Sequence, residues 1–158
     1  MDFSFTEEQE LLAENLVEFM DREYPESLIK ECDEQKIFPV EANKKFYEAG
    51  FGAIGVPEEL GGVPADMVTM CLVTSIVYRY SWAGCTYSPL SIMNAADKAS
   101  PEIRTEMLEG LMSGEKRHSF GNTEPGAGSD AAGIKTSYKK VDGGYVINGH
   151  KIYNTYAS

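Results

Sequence analysis

Apolar residues recur at helical spacing from the start of the chain. Thr6 and Gln9 have the three-residue separation of a capping box, in which each side chain binds the other residue's backbone N–H. The apolar positions that follow fall on one face of a helix. That face consists of Leu12, Leu16, Phe19 and Met20, and it is widened by Leu11 and Val17.

Proline and glycine mark the next boundaries. Pro25 and Pro39 are each predicted to open a helix, because proline fits the first turn. Gly50 is predicted to end the helix that Pro39 opens, in a left-handed cap. The apolar positions of that helix are Val40, Phe46 and Ala49. Residues 51–64 contain four glycines and two prolines, which predicts a tight, structured loop.

Three more helices are predicted before residue 115. The apolar run in residues 65–80 indicates a largely buried helix, and a second helix is expected over residues 87–99. Ser100-Pro101-Glu102 is typical of a helix start, with a hydroxyl cap, proline and an acid in the first turn, and Ser113-Gly114 ends this helix. The aromatic residues between the two apolar runs are expected to pack in the core; they are Trp82 and Tyr87.

The pattern changes to strands after Lys116. Residues 141–145 predict a hairpin turn between strands over 135–141 and 145–147, and Asn148-Gly149 predicts a turn into a strand over 150–155. The predicted fold is mostly α with a short β segment: an N-terminal helical bundle (1–115) followed by the first strands of a β-barrel-like middle domain (116–158). Because these few strands leave the edge of the sheet unpaired, we expect this sequence to be a truncated part of a longer polypeptide.

Charge and composition exclude several classes of protein. The 158 residues carry 14 basic and 25 acidic side chains, a net charge of −11, so nucleic acid is not an expected partner. No apolar run reaches the roughly 20 residues of a membrane helix, and the N-terminus lacks the pattern of a secretory signal. Cys32, Cys71 and Cys85 are odd in number and lack metal-ligand spacing. We therefore expect a cytoplasmic protein with free thiols and no membrane contact.

The segment at residues 123–130, Thr-Glu-Pro-Gly-Ala-Gly-Ser-Asp, is the most informative motif. Gly126 and Gly128 permit positive φ and close approach of a ligand, and successive N–H groups in such a turn can bind a pyrophosphate. Thr123 and Ser129 add two hydroxyls. The glycines fit a Rossmann fingerprint only superficially, because strands are expected after them, and no Lys-Ser/Thr pair follows for a Walker A loop. A plain surface turn is the alternative that composition leaves open.

The other polar candidates favour ordinary roles. Glu124 and Asp130 are more typical of turn acids that cap nearby amides than of catalytic bases. His118 and His150 lie at no metal-ligand spacing and pair with no nucleophile motif, so they are interpreted as strand residues. No metal site is predicted.

Residues 123–130 resemble the flavin-binding signature of the acyl-CoA dehydrogenase family. Val56–Gly62 and the Asn-Gly-x-Lys segment ending at Lys151 extend the resemblance over the whole chain in order and spacing. The resemblance implies FAD-dependent α,β-dehydrogenation of acyl-CoA thioesters, in which a carboxylate removes the α-proton and the β-hydrogen leaves as hydride to flavin N5. In this family the base is a glutamate of the C-terminal helical domain, so no catalytic residue is assigned in this chain.

The resemblance also implies flavin-binding residues. Phe120, Asn122 and Thr123 match flavin-facing positions on the first β-strand, Asn122 through its backbone and Thr123 through its hydroxyl and amide. Gly128 and Ser129 match positions of the pyrophosphate loop.

Two further sets of residues follow from the same resemblance. Tyr153 and Thr155 match the strand where an aromatic ring packs on the flavin and a hydroxyl reaches its reactive nitrogen; many relatives have Trp-Ile-Thr or Trp-Ile-Ser here, and this chain has Tyr-Asn-Thr. Helix 87–99 matches the element that floors the acyl pocket. The residues expected to bind acyl-CoA are Ser129, Ser91 and Asn94.

The family resemblance implies partners for the full-length protein: an acyl-CoA substrate, electron-transfer flavoprotein or a similar acceptor, and further copies of itself in a homo-oligomer. An enoyl-CoA reductase running in the opposite direction and an oxidase remain alternatives within the class. A non-catalytic helical interaction module is the alternative in a different class. The segment by itself is expected to be inactive and to bind FAD weakly at most.

Overall fold

The computed structural model describes residues 4–80 and 87–155, and the chain divides into two compact units, Met1–Arg117 and His118–Ser158. Within the described residues, the first unit contains six α-helices and the second a two-stranded antiparallel sheet. The prediction of a mostly α fold with a short β segment is confirmed.

The first three helices begin where the sequence predicted. Thr6 forms the capping box: the Gln9 N–H donates to Thr6 Oγ1 at 3.2 Å, and the Thr6 N–H donates to Gln9 Oε1 at 3.1 Å. Pro25 and Pro39 are the residues immediately before the next two helices, and Gly50 adopts a φ of +85° after the third. The helices are α1 (Glu7–Glu23), α2 (Glu26–Gln35) and α3 (Val40–Glu48).

Aromatic rings form the centre of the first unit. The Phe19 ring of α1 lies 5.2 Å from the Phe51 ring and 6.1 Å from the Phe46 ring, measured between centroids. Edge-to-face and tilted pairs at these separations stabilise a core beyond the area they bury. Leu11 is 59% exposed and Val40 is 45% exposed, so the prediction that they belong to the apolar faces is wrong. The buried face of α1 is narrower than its apolar sequence suggests.

The glycine-rich loop is tightly structured, as predicted. It contains short 3₁₀ turns at Phe51–Ala53 and Glu58–Leu60, and Ile54 forms a bridge with Val63. Val56 is fully buried. The loop therefore contributes to the core and does not merely connect two helices.

The remaining helices of the first unit are α4 (Met67–Tyr80), α5 (Pro89–Lys98) and α6 (Pro101–Met112). The prediction that α4 is largely buried is wrong, because Met67 is 64% exposed and Val68 is 52% exposed. Its buried residues are Val73, Ile76 and Val77. These lie on one side of the helix, and α4 packs on α1, so burial on one side leaves other apolar side chains in water.

Three predictions about single residues have different outcomes. Tyr87 is 3% exposed, which confirms its place in the core, whereas Trp82 and Cys85 lie outside the described residues. Cys32 and Cys71 are free thiols. The hydroxyl of Ser100 makes no capping hydrogen bond, although α6 begins at Pro101 as expected.

The second unit contains the predicted hairpin, formed by β1 (Ser137–Val141) and β2 (Gly144–Asn148), with Ser137 opposite Asn148 and Val141 opposite Gly144. Gly143 turns the chain with a φ of +77°. The strand begins two residues later than predicted, because the amides of Lys135 and Thr136 donate to the Glu124 carboxylate before the sheet begins.

The prediction of a strand over residues 150–155 is wrong. Only a single bridge, between Phe120 and Thr155, forms there, and Tyr153 interrupts the extended backbone with a φ of +55°. The predicted strand at Phe120–Thr123 is likewise reduced to this bridge. His118 and His150 lie outside β-strands, which corrects their interpretation as strand residues.

Candidate functional site

The carboxylate of Glu124 joins three segments of the second unit. It is 8% exposed and accepts hydrogen bonds from the Lys135 amide at 2.7 Å and the Thr136 amide at 2.9 Å. The Lys151 ammonium forms an ion pair with it at 2.9 Å. The side chain of Thr136, the Lys135 amide and Lys151 together lower the pKa of Glu124 to about 2. An ionised, fully engaged carboxylate caps amides and is not a candidate base.

Lys151 extends this network to the predicted flavin positions. Its ammonium also donates to the Asn122 carbonyl oxygen at 3.0 Å. One residue on, the Ile152 N–H donates to the Thr123 carbonyl at 2.9 Å. These contacts bring the Asn-Gly-x-Lys segment against the start of the glycine motif.

The chain on either side of Tyr153 pairs with the segment before Glu124. Phe120 and Thr155 exchange both backbone hydrogen bonds, at 3.1 and 3.0 Å. Between this pair and the bond from the Ile152 N–H to the Thr123 carbonyl, the backbone of Tyr153 leaves the extended conformation, so the two contacts do not form a continuous ladder. The structure thus places Phe120, Asn122 and Thr123 beside the backbone of Tyr153 and Thr155, five of the predicted cofactor residues in one patch.

The side chains of this patch combine exposed aromatic surface with hydroxyl groups. Phe120 is 64% exposed and Tyr153 is 87% exposed, while Thr123 is half-buried and Thr155 is exposed. An aromatic residue with a φ of +55° is uncommon, and such backbone conformations concentrate at functional sites. A flat aromatic ligand could stack on the aromatic side chains here, and its polar edge could form hydrogen bonds with the hydroxyl groups.

The turn at residues 124–130 is closed by a mutual pair of backbone hydrogen bonds between Glu124 and Ala127, at 2.9 and 3.1 Å. Gly126 and Gly128 do not adopt the positive φ that glycine permits, so this turn does not form a nest of alternating φ. A Cβ atom at either glycine would meet nothing within 4 Å. The use of glycine here is therefore compatible with close approach from outside.

The turn also presents backbone donors. Among residues 4–80 and 87–155, the N–H groups of Gly126, Gly128, Ser129 and Asp130 have no intramolecular acceptor. Gly126, Gly128 and Ser129 are exposed, and only a three-residue turn, Ala131–Gly133, follows. Unsatisfied N–H groups at an open turn fit phosphate oxygens, whereas a Rossmann fingerprint would continue into a long helix.

The remaining predicted residues lie in the first unit. Ser91 and Asn94 are three positions apart on α5 and hence share a helix face. Ser91 is half-buried and accepts a hydrogen bond from the Ser88 hydroxyl at 2.7 Å, and Asn94 is exposed. The predicted substrate residue Ser129 belongs to the second unit.

The ion pair between Glu124 and Lys151 was not predicted from the sequence. Both residues belong to the two motifs on which the family resemblance rests, and that shared membership is the signal that could have predicted their contact. Elsewhere in the described ranges, no group of three or more His, Cys, Asp or Glu side chains is placed to hold a metal ion. Across the same ranges, no helix has the length and apolarity to cross a bilayer.

A cavity of about 450 Å³ lies in the first unit, where α1 and α2 meet the end of α4. Its lining includes Asp21, Tyr24 and Tyr80, and the Tyr80 hydroxyl donates to Asp21 at 2.6 Å. None of the predicted site residues lines this cavity.

Comparison with known proteins identifies the family. The model of the acyl-CoA dehydrogenase N-terminal domain matches residues 6–115. The Escherichia coli K12 protein named "Probable acyl-CoA dehydrogenase YdiO" is 33% identical over 157 residues, which are 98% of this chain and 41% of that protein. The chain therefore spans less than half the length of the curated relatives it matches.

Solved structures share the fold. The ChsE4–ChsE5 complex of Mycobacterium tuberculosis matches with a TM-score of 0.86 and 22% identity, over 97% of this chain and 40% of the other. An acyl-CoA dehydrogenase complexed with FAD from Bacillus anthracis matches with a TM-score of 0.80 and 28% identity, over 96% of this chain and 27% of the other. The chain thus belongs to the acyl-CoA dehydrogenase family.

Proposed function

We propose that this chain supplies the N-terminal part of an FAD-dependent acyl-CoA dehydrogenase, with an α-helical domain over residues 1–115 and the beginning of a β-domain over 116–158. The observation that supports it most is the patch in the second unit, where exposed Phe120 and Tyr153 lie on paired segments next to a turn with open amides. The FAD complex among the structural neighbours supports the same cofactor.

In this proposal, FAD lies against the patch. Phe120, Tyr153 and Thr155 would contact the isoalloxazine ring, and Thr123 would donate through its amide and hydroxyl. Gly128 and Ser129 would hold the pyrophosphate through backbone N–H groups, which need no net positive charge. When bound, FAD supplies the hydride acceptor; the chain's own residues orient it and keep the turn open.

The substrate in this proposal is an acyl-CoA thioester. The substrate contacts that we propose are Ser129 in the second unit and, separately, Ser91 and Asn94 on α5 of the first unit. We assign no catalytic base within residues 1–158, and we propose that this segment alone is inactive. Electron-transfer flavoprotein or a similar acceptor would reoxidise the flavin, and the whole protein would work as a homo-oligomer in the cytoplasm.

The test is an anaerobic titration of the FAD-loaded complete gene product with a panel of acyl-CoA thioesters. Bleaching of the oxidised flavin absorption by at least one thioester is the expected result. Bleaching by none of them, together with oxidation of the chemically reduced protein by an enoyl-CoA, would support the reductase. A complete gene product that binds no FAD would favour the interaction module.

A further inference from the structure

We propose that Lys151, held in place by Glu124, is a positioning residue that sets the direction of the Thr123 amide toward the flavin. The inference rests on the proposed function, because it assumes that FAD binds at the patch. Lys151 and Glu124 would then influence flavin binding through the Asn122 carbonyl, without contacting the cofactor themselves.

The geometry of one peptide unit carries the inference. Lys151 Nζ lies 3.0 Å from the Asn122 carbonyl oxygen. In a planar trans peptide the carbonyl of one residue and the N–H of the next point in opposite directions. A cation that holds the Asn122 carbonyl on one side therefore directs the Thr123 N–H to the other side.

The Thr123 N–H is also open to a ligand. It donates to no acceptor in the part of the chain that the structure describes, whereas the Thr123 carbonyl accepts the Ile152 N–H at 2.9 Å. The peptide units on both sides of Thr123 are thus held by the segment at 151–152, and one strong donor remains available. A buried donor of this kind would need a partner once a flavin covered it.

Glu124 explains why the ammonium stays at the carbonyl. A lysine head is strongly hydrated and its four-carbon stem is flexible, so a carbonyl alone holds it weakly. Glu124 Oε1 lies 2.9 Å from Lys151 Nζ, and the Lys151 side chain is only 25% exposed. Because the amides of Lys135 and Thr136 anchor the carboxylate, the backbone before β1 fixes the position of the ammonium.

The experiment compares Lys151→Met, Lys151→Arg and Glu124→Gln in the complete gene product. Both the dissociation constant for FAD and the midpoint potential of the bound flavin are measured. For Lys151→Met and Glu124→Gln we expect FAD binding about tenfold weaker. The potential should become more negative, because a correctly aimed donor stabilises the charge that reduction adds to the ring. Lys151→Arg should recover part of both effects, since it keeps a cationic donor.

Lys139→Met is the matched control. Lys139 is exposed on β1 opposite Val146, and its replacement by methionine changes the net charge by the same amount as Lys151→Met. This variant should bind FAD with the wild-type affinity and potential.

A lowered melting temperature with unchanged affinity and potential would show a merely structural role and overturn the inference, as would wild-type behaviour in Glu124→Gln. If Lys151→Met does not fold, Lys151→Arg and Glu124→Gln decide the question. A wild-type protein that binds no FAD would overturn the proposed function and this inference together. A wild-type protein that binds FAD alongside unaffected variants would overturn this inference alone.

Discussion

The hydroxyl of Tyr87 donates a hydrogen bond to the carbonyl of Ile54 at 3.1 Å in the interior of the first unit. Both residues are buried, at 3% and 7% exposure. The bond ties the glycine-rich loop to the segment leading into α5, the helix that carries Ser91 and Asn94. The position of the proposed substrate helix therefore depends on a loop far from it in the sequence.

Replacing Tyr87 with phenylalanine tests that tie. The ring is kept, but the buried Ile54 carbonyl loses its donor, so we expect the free energy of unfolding to fall by about 1 kcal/mol. Chemical denaturation measures the change. Tyr145→Phe is the control, because Tyr145 is 61% exposed on the hairpin and its variant should match the wild type. Equal stability of the two variants would contradict the assigned bond.

The packing of the glycine-rich loop is tested by replacing the adjacent glycines Gly61 and Gly62 with alanine, one at a time. A Cβ at Gly62 would lie 2.3 Å from the Val56 carbonyl oxygen, a backbone atom that cannot rotate away. Gly62→Ala should therefore destabilise the protein by about 3 kcal/mol.

Gly61→Ala is its control. Gly61 has a φ of +81° and open space around it, so this variant should cost only about 1 kcal/mol, from the left-handed conformation. Thermal unfolding of both variants gives the comparison. An equal or larger loss for Gly61→Ala would show that the packing around Val56 differs from this structure.

The network around Glu124 predicts a dependence of stability on pH. Folding lowers the pKa of this carboxyl from 4.5 to about 2, through the side chain of Thr136, the Lys135 amide and Lys151. A depressed folded pKa stabilises the folded state above pH 4.5, and this contribution is lost as the pH falls from 4.5 toward 2. The stability difference between wild type and Glu124→Gln should therefore shrink over that interval.

Melting temperatures measured between pH 2 and 6 would show the trend. Glu34→Gln, which removes an exposed carboxylate of α2, serves as the control for the loss of one negative charge. A constant difference for Glu124→Gln would mean that its carboxylate is not engaged in solution.

Gly128→Ala should change the affinity for FAD without changing the stability of the protein. This glycine has no positive φ and its Cβ would meet nothing within 4 Å, so the stability should change by less than about 0.5 kcal/mol. If FAD phosphates approach the bare backbone there, the added methyl group should weaken FAD binding by about tenfold. Gly144→Ala adds the same group in equally open space on the hairpin and should leave FAD binding unchanged. Equal FAD affinity in both variants would contradict the placement of the pyrophosphate.

Local features were predictable from the sequence because they depend on residues close in the chain. Thr6 and Gln9 of the capping box are three positions apart, and the cap at Gly50 depends on its own φ. The hairpin turn at Gly143 is of the same kind. Each of these features is determined by local hydrogen bonds and backbone conformation.

Features that depend on distant partners were not predictable. The amides that bind Glu124 lie 11 and 12 residues away, and they delay the start of β1. The apolar content of α4 could not show that only one side would be covered, since its neighbours are set by tertiary packing. The φ of +55° at Tyr153 has no signal in the residue type, because an aromatic side chain disfavours that conformation.

In the proposed function, the patch around Phe120 and the turn at 124–130 bind FAD. The most direct measurement is the amount of flavin bound per chain when the apo form of the complete gene product is titrated with FAD and followed by absorbance. We expect saturation at one FAD per chain and a yellow protein after removal of free cofactor. A folded protein that remains colourless at every FAD concentration would contradict this proposal.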